Sequence, residues 1–279
     1  MNFNTNNAVM PESGADVAKR RLLSVKGDPM VFADWKRVVF LHFDFPAEVL
    51  RRQIRGPFEL ELHEGRGVVT LVALTMQRSR PARVGLGCCL WPLREQRFLN
   101  LRTYVRCQDE SGALFLWGWL SRPFGLPLPA GFGLPFSFIS ANYRHEPESG
   151  MIQGEVTDGH AGGRLAYRAT TEVNKAVAAC APGSLAAFAL ERYTGFFNHE
   201  KASSVFRAWH PPWQQNSVEV TLEDLNLVTN KFPWFSEGRF AGANYAPGFD
   251  RVWLGGAHRL EKARSEAAHR RLSAFYRMP

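Results

Sequence analysis

The sequence predicts a mainly β fold with some α, on three observations. The runs Val38-Val39-Phe40-Leu41 and Val68 to Met76 are dense in β-branched and apolar residues, and Glu59-Leu60-Glu61-Leu62 alternates with period two. Sustained helical spacing occurs in one long stretch, Gly183 to His199. With 279 residues, 45% of them hydrophobic, the chain can bury a full core.

In chain order, Met1 to Met30 is polar and Asn-rich with no continuous apolar stretch, so residues 1–30 read as a flexible arm rather than a secretory signal. After the strand at Val38 to Leu41, Pro46 to Arg55 sets Ala47, Val49, Leu50 and Ile54 opposite Arg51 and Arg52. That spacing predicts a short helix with Pro46 in its first turn, ended by Gly56-Pro57. Strands follow at 59–62, 68–76, 98–107, 113–120, 136–143, 151–157, 165–173, 217–227 and 251–254. Phe124 to Pro135 repeats Phe-Gly-Leu-Pro and reads as a loop. In the helix, Leu185, Phe188, Ala189, Arg192 and Phe196 share a stripe behind a Ser184 cap, and it is expected to lie across a sheet opening. Tyr245 to Asp250 reads as a turn, because Pro247 presets φ and Gly248 accepts a positive φ, with Asp250 free to accept a bond from the turn or from an arginine. One domain over residues 31–257 is therefore expected, followed at 258–279 by a basic amphipathic helix or tail carrying Arg259, Lys262, Arg264, Arg270, Arg271 and Arg277.

No apolar run reaches the ~18 residues that span a bilayer; the run near Leu114 to Leu120 is broken by Gly118 and followed by Arg122. A soluble protein is expected. Cys88, Cys89, Cys107 and Cys180 include an adjacent pair but no Cys-x-x-Cys, which argues against a disulfide framework or a zinc site and for reduced thiols in a cytoplasm. The net charge of +8 raises nucleic acid as a partner, but the arginines are scattered and charge is the only support for it. There is no Gly-x-Ser-x-Gly elbow and no Walker glycine loop, and Gly85-Leu86-Gly87 runs into Cys88-Cys89 rather than a helix, so no cofactor is implied.

Alternation along 98–107 puts Phe98, Asn100, Arg102, Tyr104 and Arg106 on one face. Turned inward, that face makes Arg102 a clamp for a carboxylate or phosphate, with Asn100 and Tyr104 as directional partners; turned outward, it is a solvated face. His42 shares a face with Phe40 and Asp44 and is either an acid–base group or a hydrogen-bonded core histidine. His210 precedes Pro211-Pro212-Trp213, which fixes an extended backbone and holds the ring beside an indole; this suits an acid–base site or a plain corner. The remaining histidines lack metal-ligand spacing, so no metal is expected.

Pro182-Gly183-Ser184-Leu185, Glu191-Arg192-Tyr193, His210-Pro211-Pro212-Trp213 and Tyr245 to Asp250, preceded by Asn100 to Val105, together resemble the bacterial domain of unknown function 2071 family, within the acetoacetate decarboxylase-like superfamily. Phe40 to Pro46 through Pro57-Phe58-Glu59-Leu60 is also similar to the opening of acetoacetate decarboxylase. The resemblance implies an antiparallel, cone-shaped β-barrel with a central cavity. It also implies that His42 stands where the decarboxylase has a pocket arginine, while that enzyme's pocket glutamates fall near Arg102 and the Leu71-Val72 pair. At the position of the Schiff-base lysine, Gly133-Leu134-Pro135 is followed by Phe136 and Ser137, and imine chemistry needs an amine. The expectation is a pocket for a small anionic or carbonyl-bearing ligand, with Asn100, Arg102, Tyr104 and Trp213 binding it and His42 and His210 as catalytic candidates. The other reading is a structural or interaction protein, with oligomer formation left open, in which Arg102 and His210 are buried hydrogen-bonding residues.

Overall fold

The computed structural model describes residues 13–83, 95–121, 135–159, 162–173, 175–198 and 202–260. Gly85 to Cys89, residues 124–134 of the Phe-Gly-Leu-Pro loop and the basic segment from residue 261 onward lie outside the described residues. Helix α1 (Gly14–Leu23) precedes β1 (Val31–Phe45), and α2 (Ala47–Arg51) leads to β2 (Glu59–Leu60), β3 (Leu62–His63), β4 (Arg66–Pro81), β5 (Gln96–Cys107) and β6 (Glu110–Leu120). Then come β7 (Phe136–Phe138), β8 (Ser140–Glu146), β9 (Met151–Asp158), β10 (Gly163–Thr170), β11 (Ala178–Ala179) and α3 (Leu185–Leu190). The chain continues through β12 (Thr194–Asn198), β13 (Ser203–Trp209), β14 (Gln214–Asp224), α4 (Asn226–Thr229), β15 (Arg239–Leu254) and β16 (His258–Arg259). No helix among the described residues is long and apolar enough to cross a membrane.

The strands pair in the order β16-β13-β12-β6-β5-β4-β1-β15-β14-β10-β9-β8, and β13 also meets β15 through Ala208 and Trp209. The expected antiparallel cone-shaped barrel is corrected by this path. It has free ends at β16 and β8, and the β6–β12 and β6–β7 pairings are parallel, so the sheet is not one closed antiparallel barrel.

Both faces of β1, β4 and β5 are buried. Val39, Leu41, Leu71, Ala73, Leu99 and Leu101 pack under β8, β9 and β10 through Tyr143, Ile152, Val156 and Tyr167, whereas Val38, Phe40, Val72 and Leu74 pack towards α3 and Trp213. Two covered faces explain why Val68 to Met76 is a continuous apolar run rather than an alternating one.

Two elements differ from expectation. Ser184 caps its helix as predicted, its hydroxyl accepting from Ala187 N, but α3 ends at Leu190 and residues 194–198 are strand β12. The predicted Tyr245–Asp250 turn lies inside β15, paired with β1 as Val38–Ala246, Lys36–Gly248 and Trp35–Phe249. Gly248 has φ +92°, as a turn would need, but it is used where the strand runs against the Trp35 carbonyl, which a Cβ would overlap. Asp250 accepts from Arg78 at 2.6 Å and pairs with Lys36 at 2.8 Å. Within the expected N-terminal arm, α1 buries Leu22 fully and sets Lys19 over the rings of Trp209 and Trp253.

Candidate functional site

Between the inner face of the sheet and α3 lies a cavity of about 120 Å³. Its walls alternate out of the strands: Val38 and Phe40 from β1, Val72, Leu74 and Met76 from β4, Phe98, Asn100 and Arg102 from β5. Phe115 of β6, Phe197 of β12 and Phe206 of β13 close the other side. A bulge places Phe115: the β5–β6 register passes from Leu101–Trp117 to Arg102–Phe115, so Leu116 is the extra residue and Phe115 faces the cavity beside Arg102. A second irregularity brings in Trp35. Between Lys36 and Val39 the β1–β4 register shifts, with Arg37 at φ +54°, and Trp35 thereby joins Val38 and Phe40 on the cavity side.

The polar face predicted for β5 therefore points inward as far as Arg102. The Arg102 guanidinium donates from Nη2 to the Ala189 carbonyl at 3.0 Å and lies over the rings of Phe40 and Tyr104. Its Nε has no partner, and no carboxylate among the described residues pairs with it. Asn100 is 3% exposed, and its Oδ1 is also without a partner, as are the indole N–H groups of Trp35 and Trp213. Four buried polar atoms on the walls of one largely apolar cavity thus lack a hydrogen bond. Each such group costs roughly 1–3 kcal/mol if left so. Arg192, the second guanidinium of the wall, is satisfied: Nη1 donates to Glu61 Oε2 at 2.5 Å and Nε to the Phe188 carbonyl at 2.6 Å.

His210 lines the cavity in an aromatic cage, stacked on Phe249 at 4.8 Å and 13° and flanked by Tyr193 and Trp213. Its Nδ1–H donates to the Pro211 carbonyl at 2.7 Å, so Nε2 carries the lone pair. Burial lowers its pKa from 6.5 to about 4; the Pro211 bond opposes the shift and the charge of Arg102 adds to it. At neutral pH the ring is an uncharged base. Glu191, directly after α3, holds this corner by accepting from Trp213 N at 2.8 Å and from the Tyr193 hydroxyl at 2.5 Å.

His42 and Tyr104 do not line the cavity. They belong to a buried chain beside it on the same sheet face, in which Tyr104 O–H donates to Thr70 Oγ1 at 2.7 Å and Thr70 meets His42 Nδ1 at 3.0 Å. His42 Nε2 meets Asn244 Oδ1 at 2.9 Å, and Asn244 Nδ2 donates to Gln215 at 2.6 Å. Burial lowers the His42 pKa to about 4, so this histidine too is neutral. The structure thus brings Asn100, Arg102, Trp213 and His210 together and leaves His42 and Tyr104 outside the cavity walls, two residues further along the same sheet face. Trp35, Phe115 and Glu191 are site residues that the candidate set lacks. Glu191 had a signal, the Glu-Arg-Tyr motif, whereas the other two depend on bulges. Among the described residues no cluster of His, Cys, Asp or Glu could hold a metal ion, and no lysine lines the cavity.

Residues 32–248 match the family model described as an uncharacterised conserved protein, domain of unknown function 2071. No curated protein matches the sequence. Among solved structures, an acetoacetate decarboxylase-like enzyme from Sphingomonas wittichii RW1 is similar, with TM-score 0.58 and 14% identity over 84% of this chain and 94% of that one. The enduracididine biosynthesis enzyme MppR complexed with pyruvate gives TM-score 0.57 and 15% identity over 85% and 93%. Acetoacetate decarboxylase from Legionella pneumophila gives 0.55 and 12% over 83% and 88%. At these identities the likeness is one of fold.

Proposed function

For this chain, which belongs to the domain of unknown function 2071 family and has the acetoacetate decarboxylase-like fold, we propose a small-molecule pocket that binds an anionic or carbonyl-bearing ligand without imine chemistry. One observation carries the reading: the Arg102 guanidinium is set in an apolar cavity wall with Nε unpartnered and no carboxylate beside it. Removing a guanidinium from water is costly, and an anionic guest supplies the compensating charge and acceptors. The unpartnered indole N–H groups of Trp35 and Trp213 offer further donors on the same walls, and Asn100 Oδ1 is an acceptor for a hydroxyl or N–H of the guest. His210, neutral with a free lone pair at Nε2, is the base placed to accept a proton from a bound acid or water. The pyruvate seen in MppR is compatible with a pocket of this kind in this fold.

The test is a thermal-shift and native mass spectrometry screen with acetate, pyruvate, acetoacetate and other small carboxylates. Stabilisation by at least one acid, lost in Arg102→Met, is the expected result; at a ligand concentration of 100 times Kd it amounts to about 2.7 kcal/mol. A protein insensitive to every acid overturns the reading. The structural alternative draws on the bond from Arg102 to the Ala189 carbonyl, and it requires Arg102→Met to unfold the protein rather than to silence it.

A further inference from the structure

We infer that the cavity selects a monocarboxylate with a flat apolar body of about benzoate's size, a refinement that rests on the anion-binding reading above. Size sets the first limit. The cavity measures about 120 Å³ and is not fully enclosed; since a closed, dry cavity of about 150 Å³ holds benzene, one ring is the upper limit on the part of the guest that the walls cover. Charge sets the second. Of the two guanidiniums on the wall among the described residues, Arg192 is paired with Glu61, which Arg106 shares, and this leaves Arg102 as the one without a carboxylate. One carboxylate matches it; a dianion such as phosphate would bring a second charge into an apolar wall with no partner.

The walls set the third limit. The N–H groups without partners, Arg102 Nε, Trp35 Nε1 and Trp213 Nε1, suit the several acceptor sites of one carboxylate. The rest of the wall includes Val72, Leu74, Phe98 and Phe115, with Phe197 and Phe206 stacked 5.0 Å apart at 3°. On these walls a keto oxygen on the body of the guest would find only the Asn100 amide as a further donor, whereas an aromatic ring meets edges and faces of its own kind. The cavity therefore favours apolar-bodied acids over the short keto acids.

Titration calorimetry on the full chain, with Trp35 and Trp213 fluorescence as a second signal, compares benzoate, its neutral isostere benzamide, pyruvate, acetoacetate and inorganic phosphate. Benzoate is expected to bind at least tenfold more tightly than the other four, and Arg102→Met is expected to remove that preference over benzamide. The benzoate–benzamide comparison uses the unaltered protein, so it stands even if the variant does not fold. Pyruvate or acetoacetate binding as tightly as benzoate overturns this inference but leaves the anion pocket intact, and phosphate binding more tightly does the same. Benzamide equal to benzoate overturns the role of the charge. Silence from every acid overturns both the inference and the pocket reading.

Discussion

The imidazole of His42 and the side-chain amide of Asn244 meet at 2.9 Å and join β1 to β15 across 202 residues of sequence. Because Asn244 Nδ2 donates to Gln215, its Oδ1 must accept, so His42 Nε2 carries the proton and Nδ1 takes one from Thr70. Thr70 Oγ1 in turn accepts from Tyr104, and each bond fixes the direction of the next. Thr70→Val keeps the shape but strands the Tyr104 hydroxyl and the His42 lone pair. A loss of about 2–4 kcal/mol is expected in urea unfolding with an unchanged m-value. A loss under about 0.5 kcal/mol would show that the chain does not hold the strands together.

Three buried histidines make stability steeply dependent on pH. Burial lowers His42, His145 and His210 from 6.5 to about 4, against a raising contribution from a hydrogen bond in each. Between those limits the unfolded chain binds protons that the folded chain refuses, so stability is full above pH 6.5 and is lost as pH falls towards 4. Each histidine contributes about 1.4 kcal/mol per pH unit and the three together about 4. From pH 6.5 to 4 the loss is on the order of 10 kcal/mol, comparable to the roughly 5–15 kcal/mol that a domain holds in all, so most of the stability should be gone by pH 4. Urea midpoints measured from pH 7 to 4.5 check the slope, and His145→Gln should reduce it by about one third.

Gly248 is constrained by space as well as by conformation. At φ +92° and against the Trp35 carbonyl, it lets β15 run past the bulge that carries Trp35 to the cavity. Gly248→Ala must strain the backbone and push β1 away, with an expected cost on the order of 3 kcal/mol or more. Gly183→Ala is the comparison: its φ is +76° but nothing lies within 4 Å of a Cβ there, so about 1–2 kcal/mol is expected. Thermal unfolding of the two variants side by side separates strain from overlap.

How much was legible in the sequence follows from periodicity and its interruptions. The face carrying Asn100 and Arg102 was legible because β5 alternates without a break from Phe98 to Arg102. Trp35 was not, because the irregularity at Arg37 puts residues 35, 38 and 40 on one side, which no period of two predicts. Thr194 to Asn198 carried Phe196 at helical spacing from Leu185, and the hairpin with β13 together with long-range pairing to β6 overrode that local pattern. His42 had the right strand and neighbours for either role, but the partners that bury it, Thr70 and Asn244, are distant in sequence. The barrel implied by resemblance failed in its closure and in its antiparallel pairing, both of which are properties of strand order rather than of any one strand.

Arg102 and Arg192 stand on the same cavity wall with opposite debts to the fold. Arg192 is 10% exposed and bonded to Glu61, so Arg192→Met leaves a half-satisfied carboxylate that still has Arg106 at 2.9 Å and Ser111 at 2.6 Å. That residual pairing holds the expected loss to about 2 kcal/mol rather than the 3–5 kcal/mol of a fully stranded charge. Arg102→Met gives up one charge-assisted bond to the Ala189 carbonyl, about 1.5–3 kcal/mol, and offsets most of it by relieving an unpaired guanidinium Nε in an apolar wall. In the absence of ligand its stability should stay within about 1 kcal/mol of the parent, even as acid binding disappears. Chemical denaturation of both variants without ligand decides the matter, since an Arg102→Met loss equal to that of Arg192→Met would make Arg102 a structural residue and leave the cavity without its anchor.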